Sequence, residues 1–227
     1  MTDKKFYEDK QEELITKICL DNTIDISRLN TVAGVDLAYW KYGDKEYACC
    51  CIVVLDYKNL SIIEKKYSVG EITVPYIPGC LAFREYGLVE KTVALLENEV
   101  DLYVFDGNGY LHPRHMGLAT YAGIMLDKPS VGVAKSFYKF ADVDYSDLPD
   151  EANSYKDIVI EGEVYGRVLR THKDVKPVFV SIGNMISLDV ATNVIEHMVL
   201  DDSHIPVPTR YADMMTHEIR KEYEGQI

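Results

Sequence analysis

The hydrophobic and polar positions of this chain follow two spacings, which predict strands and helices in a definite order. Short apolar runs bounded by turn residues predict strands. They lie at 31–39, 47–57, 61–69, 101–105, 130–134, 158–160, 163–170 and 177–182. Apolar residues three and four apart predict helices. They lie at 6–20, 81–97, 116–126, 186–200 and 208–224. No repeat or linker interrupts the chain, so we expect a single α/β domain over residues 1–227.

The order of these elements predicts a mixed sheet covered by helices. Three strands suited to antiparallel pairing come first, and helix, strand, helix and strand follow. If 101–105 lies parallel beside 31–36, their carboxyl ends meet at a point where open α/β sheets bind ligands. This pattern is typical of a ribonuclease H-like fold, with a mixed five-stranded sheet core flanked by helices, additional strands and C-terminal helices.

Three carboxylates lie where a predicted strand ends or a predicted helix begins. Asp36 and Asp106 each follow an apolar run, and Glu85 lies near the start of helix 81–97. Alone, each fits an ordinary turn or surface residue equally well. Carboxylates delivered by two strands and a helix are ligands that a hard cation such as Mg²⁺ prefers. The set therefore predicts a metal site suited to phosphoester chemistry.

Two further blocks suggest a site for a flat ligand. The segment 75–79 reads Pro-Tyr-Ile-Pro-Gly, and its prolines hold Tyr76 and Ile77 extended. It is either a simple connector or a stiff wedge whose aromatic ring stacks where a base pair opens. The glycines within 107–109 and at 132 serve either tight turns or a base seated against the backbone.

Charge and composition limit the classes of function. The net charge of −13 argues against a general binder of nucleic acid, because affinity for phosphates comes largely from Lys and Arg. Local charge still steers a ligand, and Lys135 is either a surface lysine or a phosphate ligand. The consecutive cysteines at 49–51 indicate buried free thiols. No apolar stretch is long enough to span a membrane and the charged start lacks a signal-peptide pattern, so we expect a cytoplasmic protein.

Six motifs together resemble those of the endonuclease V family. They are VAGVDLAY (32–39), PYIPGCLAFRE (75–85), DGNGYLHPRHMGLATYAGIMLDKPSVGVAKS (106–136), GRVLRT (166–171), KPVFVSIGNMISLD (176–189) and PVPTRYAD (206–213). The resemblance runs from about residue 31 to 213. It implies a DNA repair enzyme that hydrolyses the second phosphodiester bond 3′ to a deaminated base, chiefly inosine, and leaves a nick. It also implies Mg²⁺ as cofactor, for which Mn²⁺ is expected to substitute. We expect a monomer whose partner is deaminated DNA.

The resemblance implies roles for individual residues. The expected catalytic residues are Asp36, Glu85, Asp106, His112, Lys135 and Asp213. The first three correspond to metal ligands, the next two to positions near the cleaved phosphate, and the last to a further active-site residue. The expected substrate-binding residues are Tyr76, Ile77, Pro78, Gly79, Leu81, Gly109, Leu118, Gly132 and Ala134. Tyr76 falls within a strand-separating wedge. The chain departs from the family pattern at Cys80, where an apolar residue is more usual, and at Asn184, where a histidine is usual.

The residues leave other functions open. The same fold acting on inosine-containing RNA would be an inosine-specific ribonuclease, and no residue reports on the 2′-hydroxyl that decides this. A non-catalytic binder of mismatched or branched nucleic acid is disfavoured, because the carboxylates would repel phosphates. A metal-binding α/β domain unrelated to nucleic acid is favoured only by the charge of −13.

Overall fold

One mixed sheet of eight strands forms the centre of the computed structural model, which describes residues 4–225. The strands are β1 (Thr31–Tyr42), β2 (Lys45–Asp56), β3 (Ile62–Glu71), β4 (Leu102–Asp106), β5 (Ser130–Ala134), β6 (Ser154–Ile160), β7 (Glu163–Arg170) and β8 (Val178–Asn184). The α-helices are α1 (Lys4–Ile15), α2 (Leu81–Val93), α3 (Leu118–Leu126), α4 (Leu188–His197) and α5 (Val207–Gly225). The single-domain prediction also includes residues 1–3 and 226–227, which lie outside the described residues.

The strand order confirms the predicted mixed sheet. The order is β3-β2-β1-β4-β5-β8-β7-β6. The pairs β1–β4 and β4–β5 are parallel, and the remaining neighbours are antiparallel. The last three strands extend the same sheet beyond the five-stranded core. The predicted parallel pairing of 101–105 with 31–36 is therefore correct.

Helices cover both faces of the sheet because successive strand residues point in opposite directions. On β4, Phe105 packs in the cluster that includes Val89 of α2 and Ala122 of α3. Its neighbour Val104 packs in the cluster that includes Ile195 of α4. Burial of large side chains on both faces is the main stabilising contribution to such a sheet. No helix within residues 4–225 combines the length and the apolar character needed to cross a bilayer.

Helix α5 packs directly on strand β1 at a glycine. A Cβ at Gly34 would lie 2.0 Å from the carbonyl carbon of Pro208 and 2.6 Å from the amide nitrogen of Thr209. Real Cβ atoms do not approach backbone so closely, so only glycine allows this contact. The glycine of the VAGVD motif thus sets how near the last helix comes to β1.

Three helices end earlier than their hydrophobic spacing predicts: α4 stops at His197, not at 200, and after α1 and α2 side chains from elsewhere bind the backbone that follows. Helix α1 stops at Ile15, not at 20, and the Asn184 side chain accepts the amide of Cys19 at 2.9 Å. Helix α2 stops at Val93, not at 97, and Glu64 of β3 accepts the amides of Glu97 and Asn98. These long-range hydrogen bonds leave no periodic signal in the sequence.

The three consecutive cysteines are buried free thiols, as predicted. Cys49, Cys50 and Cys51 lie on β2 and have no exposed surface. Cys49 and Cys51 pack against Trp40 and Ile219 beneath helix α5. Their role in the described fold is that of small apolar residues.

Candidate active site

The register of β1 and β4 places two aspartates side by side. Val35 pairs with Phe105, and Asp36 and Asp106 are the next residues on the two parallel strands. Asp106 ends β4, but Asp36 does not end β1, which continues to Tyr42 in antiparallel pairing with β2. Asp36 therefore lies in the middle of a long strand, where its parallel partner stops.

Asp213 of helix α5 completes a cluster of three carboxylates. One oxygen from each of Asp36, Asp106 and Asp213 lies within 4.8 Å of the others. One helical turn beyond Asp213, the hydroxyl of Thr216 donates a hydrogen bond to Asp36 Oδ2 at 3.1 Å. Because α5 touches β1 at Gly34, the helix is close enough to bring both side chains to the strand.

Lys135 supplies positive charge to this cluster. Its Nζ lies 2.6 Å from Asp106 Oδ2 and 3.2 Å from Asp213 Oδ1. Burial disfavours the charged ammonium, but the hydrogen bond and charge of Asp106 and the charge of Asp213 outweigh burial and raise the pKa of Lys135. The lysine is therefore a fixed cation beside the carboxylates.

The negative charge of the cluster exceeds what one lysine balances. Burial raises the pKa of Asp36 from 3.8 to about 7, and the charges of Asp106 and Asp213 add to the rise. The pKa of Asp106 is also raised, chiefly by burial, although Lys135 opposes the shift. Burial and neighbouring negative charge both disfavour the ionised carboxylates, and a bound cation would favour them. The arrangement is that of a site for a divalent ion.

Glu85 lies apart from the three clustered carboxylates. It is buried on α2, which covers the opposite face of the sheet, and it accepts a hydrogen bond from the Tyr39 hydroxyl at 2.6 Å. Burial raises the pKa of Glu85 to about 7, and the charge of Asp36 contributes to the rise. Within residues 4–225 it is not one of the three clustered carboxylates, and its role as a metal ligand stays a prediction.

A cavity of about 430 Å³ opens beside the carboxylates. Its wall includes nine of the residues predicted to form the site. They are Tyr76, Gly79, Leu81, Glu85, Asp106, His112, Leu118, Ala134 and Lys135. Tyr76 stands at its mouth with 66% of its surface exposed. The cavity is large enough for one planar base, and a bound base would lie within reach of the cluster.

Gly109 and Gly132, predicted to line a pocket, lie at close backbone contacts instead. A Cβ at Gly109 would lie 2.2 Å from the carbonyl oxygen of Ile182, and one at Gly132 would lie 2.5 Å from the amide nitrogen of Gly109. These glycines let the loop after β4 lie against β5 and β8. Ile77 and Pro78 belong to the loop that carries Tyr76, between the end of β3 and α2.

The comparison with known proteins identifies the family. A model of the Endonuclease V family matches residues 12–214. The chain belongs to the endonuclease V family. A protein named Endonuclease V from Bacillus thuringiensis subsp. konkukian is 51% identical over 212 residues, which cover 93% of this chain and 90% of the relative.

Solved structures of the endonuclease V family share the fold. The crystal structure of Endonuclease_V from Bacillus subtilis has a TM-score of 0.96 at 44% identity, covering 100% of this chain and 96% of that chain. The Endonuclease V of Ciona intestinalis, in complex with a 24mer DNA containing an inosine followed by a ribo-adenosine, has a TM-score of 0.87 at 27% identity. That match covers 96% of this chain and 98% of that chain.

His112 is a neutral residue of the cavity wall. Burial and then the charge of Arg114 lower the pKa of His112 to about 4. Its Nδ1 accepts the amides of Arg114 and Met116 at 3.2 and 3.4 Å, so the proton lies on Nε2. A Cβ at Gly79 would lie 3.8 Å from this Nε2. The neutral ring therefore interacts with the backbone of Gly79 in the cavity wall and does not supply positive charge.

The loop that carries Tyr76 is held by residues that the sequence did not reveal. The buried side chain of Gln11, on α1, donates to the Gly79 carbonyl at 2.8 Å. Arg114 donates to the same carbonyl at 3.0 Å and to Gln11 Oε1 at 2.6 Å. Gly79 has φ +79°, a conformation that suits glycine. A glutamine on a charged helix carries no sequence signal for this role.

Tyr39 and Thr216 are the other site residues that sequence reasoning missed. Thr216 follows Asp213 by three residues on a predicted helix, so the shared helix face was a usable signal. Tyr39 lies in the VDLAY block, but its contact with Glu85 joins a strand to a helix 46 residues later. Arg84 also lies 4.9 Å from the Tyr39 ring centre, which fixes the tyrosine in place.

Proposed function

We propose that this protein is a DNA repair endonuclease that recognises deaminated bases, chiefly inosine. It hydrolyses the second phosphodiester bond 3′ to the base and leaves a nick. The observation that carries the proposal is the base-sized cavity beside the cluster of Asp36, Asp106 and Asp213. Family membership and the inosine-containing DNA bound by the Ciona relative support it.

Mg²⁺ is the proposed cofactor, and Mn²⁺ is expected to substitute for it. The clustered carboxylates offer hard oxygen donors, and a divalent ion would offset the burial and the neighbouring negative charges that raise the pKa of Asp36. Asp36, Asp106 and Asp213 would hold the ion, with Glu85 close enough to add its charge. A bound ion supplies positive charge that stabilises the phosphate in the transition state and the leaving oxygen.

The protein's own residues position the substrate around this centre. Lys135, held by Asp106 and Asp213, is placed to bind an oxygen of the cleaved phosphate as a point charge. Thr216 fixes one oxygen of Asp36, and Tyr39 fixes one oxygen of Glu85. Carboxylates held in this way need little rearrangement when the substrate binds.

The cavity would receive the base after it leaves the helix. Extrusion is easiest at a mismatched or damaged base, because its pairing and stacking are already weak. Tyr76 on its stiff loop would stack in the gap that the base leaves. All of these residues come from one chain, so the proposed site is complete in a monomer.

The test uses DNA duplexes that differ only in one inosine or adenosine. We expect nicking of the inosine duplex with Mg²⁺ or Mn²⁺ and no nicking with EDTA. Nicking of the adenosine duplex at the same rate would contradict the proposal. A matched inosine RNA oligonucleotide decides between the DNA enzyme and an inosine-specific ribonuclease of the same fold.

A further inference from the structure

A second hollow of about 490 Å³ adjoins the base cavity. The two hollows share the segment 135–139 as a wall. The residues that matter in the second hollow are Lys135, Lys139, Lys176, Phe137, Tyr145 and Phe179. We name it the lysine groove. It begins at the lysine that contacts Asp106 and extends to the loop before β8.

The lysine groove is positive in a protein whose net charge is −13. Three lysines and no carboxylate line it. Within residues 4–225, neither Lys139 nor Lys176 forms an ion pair. A smaller hollow that shares Lys139 carries Asp142 and Asp144, so the local excess of positive charge is limited to the groove. Unpaired lysines on an acidic protein are suited to a polyanion.

The positive charge of the groove lysines also acts on a nearby histidine. Burial lowers the pKa of His204, and the charges of His172, Lys135 and Lys176 lower it further. Lys135 and Lys176 thus act together on one group, although they are 41 residues apart in sequence. Lys135 and Lys176 also line the same hollow, so their charges lie along one surface.

Aromatic side chains line the groove between the lysines. Phe137 and Tyr145 both pack on the buried ring of Phe179, with ring centres 5.8 and 5.5 Å away. Phe137 and Tyr145 remain partly exposed. Lysines with intervening aromatic faces are typical of grooves that follow a single nucleic-acid strand, because phosphates meet the cations and bases stack on the rings.

The position of the groove indicates which side of the cleaved bond it would bind. Under the proposed function, the inosine occupies the base cavity and the bond to be cut lies 3′ to it, at the carboxylates and Lys135. The groove starts at Lys135, shares the wall 135–139 with the base cavity and leads on to Lys176, so it offers a path for the strand beyond the cut bond. We propose that the lysine groove binds the sugar-phosphate backbone of the cleaved strand on the 3′ side of the nick, through Lys139 and Lys176. This inference rests on the proposed function.

The test measures binding of single-stranded inosine DNA whose two arms are varied in length. One oligonucleotide has long arms on both sides, one has a 3′ arm that ends just past the cleaved bond, and one has a 5′ arm shortened to the same extent. The variant is Lys139→Ala with Lys176→Ala. The control is Lys65→Ala with Lys91→Ala, which removes the same charge from exposed lysines of β3 and α2 outside the groove. Dissociation constants are measured by fluorescence anisotropy in EDTA at several salt concentrations.

We expect the groove variant to bind the oligonucleotide with two long arms about tenfold more weakly than wild type. The slope of log affinity against log salt should fall by about 0.7 for each lost phosphate contact. On the short 3′ arm, the variant and wild type should differ little, and the control variant should match wild type on every substrate. All substituted lysines are exposed, and thermal unfolding checks that the variants fold.

Three results would overturn the inference. They are affinity equal to that of the control, equal losses on all oligonucleotides, and a loss that follows the 5′ arm. Wild-type nicking of the two-armed oligonucleotide with Mg²⁺ is measured in parallel against an adenosine version. If wild type nicks at inosine but one of these three results occurs, only the groove assignment fails. If wild type does not nick at inosine, the proposed function fails and the inference falls with it.

Discussion

At the residue scale, Asp36 and Asp106 form the centre of the proposed site, because neighbouring parallel strands hold them side by side. Asp213 and Lys135 complete their surroundings, with the Lys135 Nζ 2.6 Å from Asp106. Replacing either strand aspartate by asparagine keeps the shape of the side chain and removes one negative donor. The change therefore tests metal binding and not packing.

Asp36→Asn and Asp106→Asn should each reduce inosine nicking on the order of 100-fold or more, because a lost ligand weakens a metal site at least as much as a lost supporting hydrogen bond. Binding of Mn²⁺, measured by calorimetry, should weaken in the same variants. Asp142→Asn, an exposed carboxylate outside the cluster, is the control. Nicking close to the wild-type rate by either variant would refute the site.

The raised pKa of Asp36 also predicts how stability depends on pH without divalent ions. The carboxyl has a pKa of about 7 in the folded protein and an ordinary value of 3.8. A proton thus binds more tightly to the folded state, so this group favours folding at low pH and loses that contribution as pH rises to about 7. In EDTA, the melting temperature of wild type should fall between about pH 4 and about pH 7 more than that of Asp36→Asn. Parallel curves for the two proteins would show that Asp36 does not titrate in this way.

At the element scale, two contacts position the site. Helix α5 touches β1 at Gly34 and thereby delivers Asp213 and Thr216. On helix α1, the Gln11 side chain donates a hydrogen bond to the carbonyl of Gly79, at the end of the loop that carries Tyr76. The carboxylate cluster and the loop that carries Tyr76 are therefore each supported by a helix far away in sequence.

Gly34→Ala should destabilise the protein by about 1–3 kcal/mol, because the new Cβ would overlap the backbone of α5. Nicking should fall more than the folded fraction does, since displacing α5 also displaces Asp213. Gly87→Ala is the matched control, because a Cβ on this residue of α2 meets nothing within 4 Å. It should be neutral or stabilise by up to about 1 kcal/mol. Equal melting temperatures for Gly34→Ala and wild type would contradict the contact.

Tyr76 should matter most when a base pair has to be opened. If its ring replaces the stacking of the extruded base, Tyr76→Ala should lose about 1–3 kcal/mol of binding on a matched inosine duplex. The loss should shrink on single-stranded or bubble substrates, where less unstacking is required. Tyr76→Phe should retain most activity, because the ring does the stacking. The same loss on all three substrates would mean that Tyr76 supports the fold instead.

At the scale of the whole molecule, the sequence predicted the mixed sheet, the pairing of β1 with β4 and the cluster core of Asp36 and Asp106. These features follow from local apolar runs and from the order of the strands, both of which can be read from the hydrophobic periodicity of the sequence. It did not reveal that Glu85 lies outside the cluster, that Tyr39 binds Glu85, or that Gln11 holds the wedge loop. Those features depend on contacts between segments far apart in the chain. A single hydrogen bond sets the position of each side chain, and it leaves no pattern in the sequence.

The central claim at this scale is that the distance between the base cavity and the carboxylates sets where the strand is cut. Under the proposed function, a base held in the cavity would place a bond on its 3′ side near Asp106 and Lys135, which line the same cavity. The most direct measurement maps the nick at single-nucleotide resolution in an inosine duplex with Mg²⁺. We expect one product, cut at the second phosphodiester bond 3′ to the inosine. When the inosine is placed at another position, the cut should move with it. Cleavage at another distance, at several positions, or at sites that do not follow the inosine would contradict it.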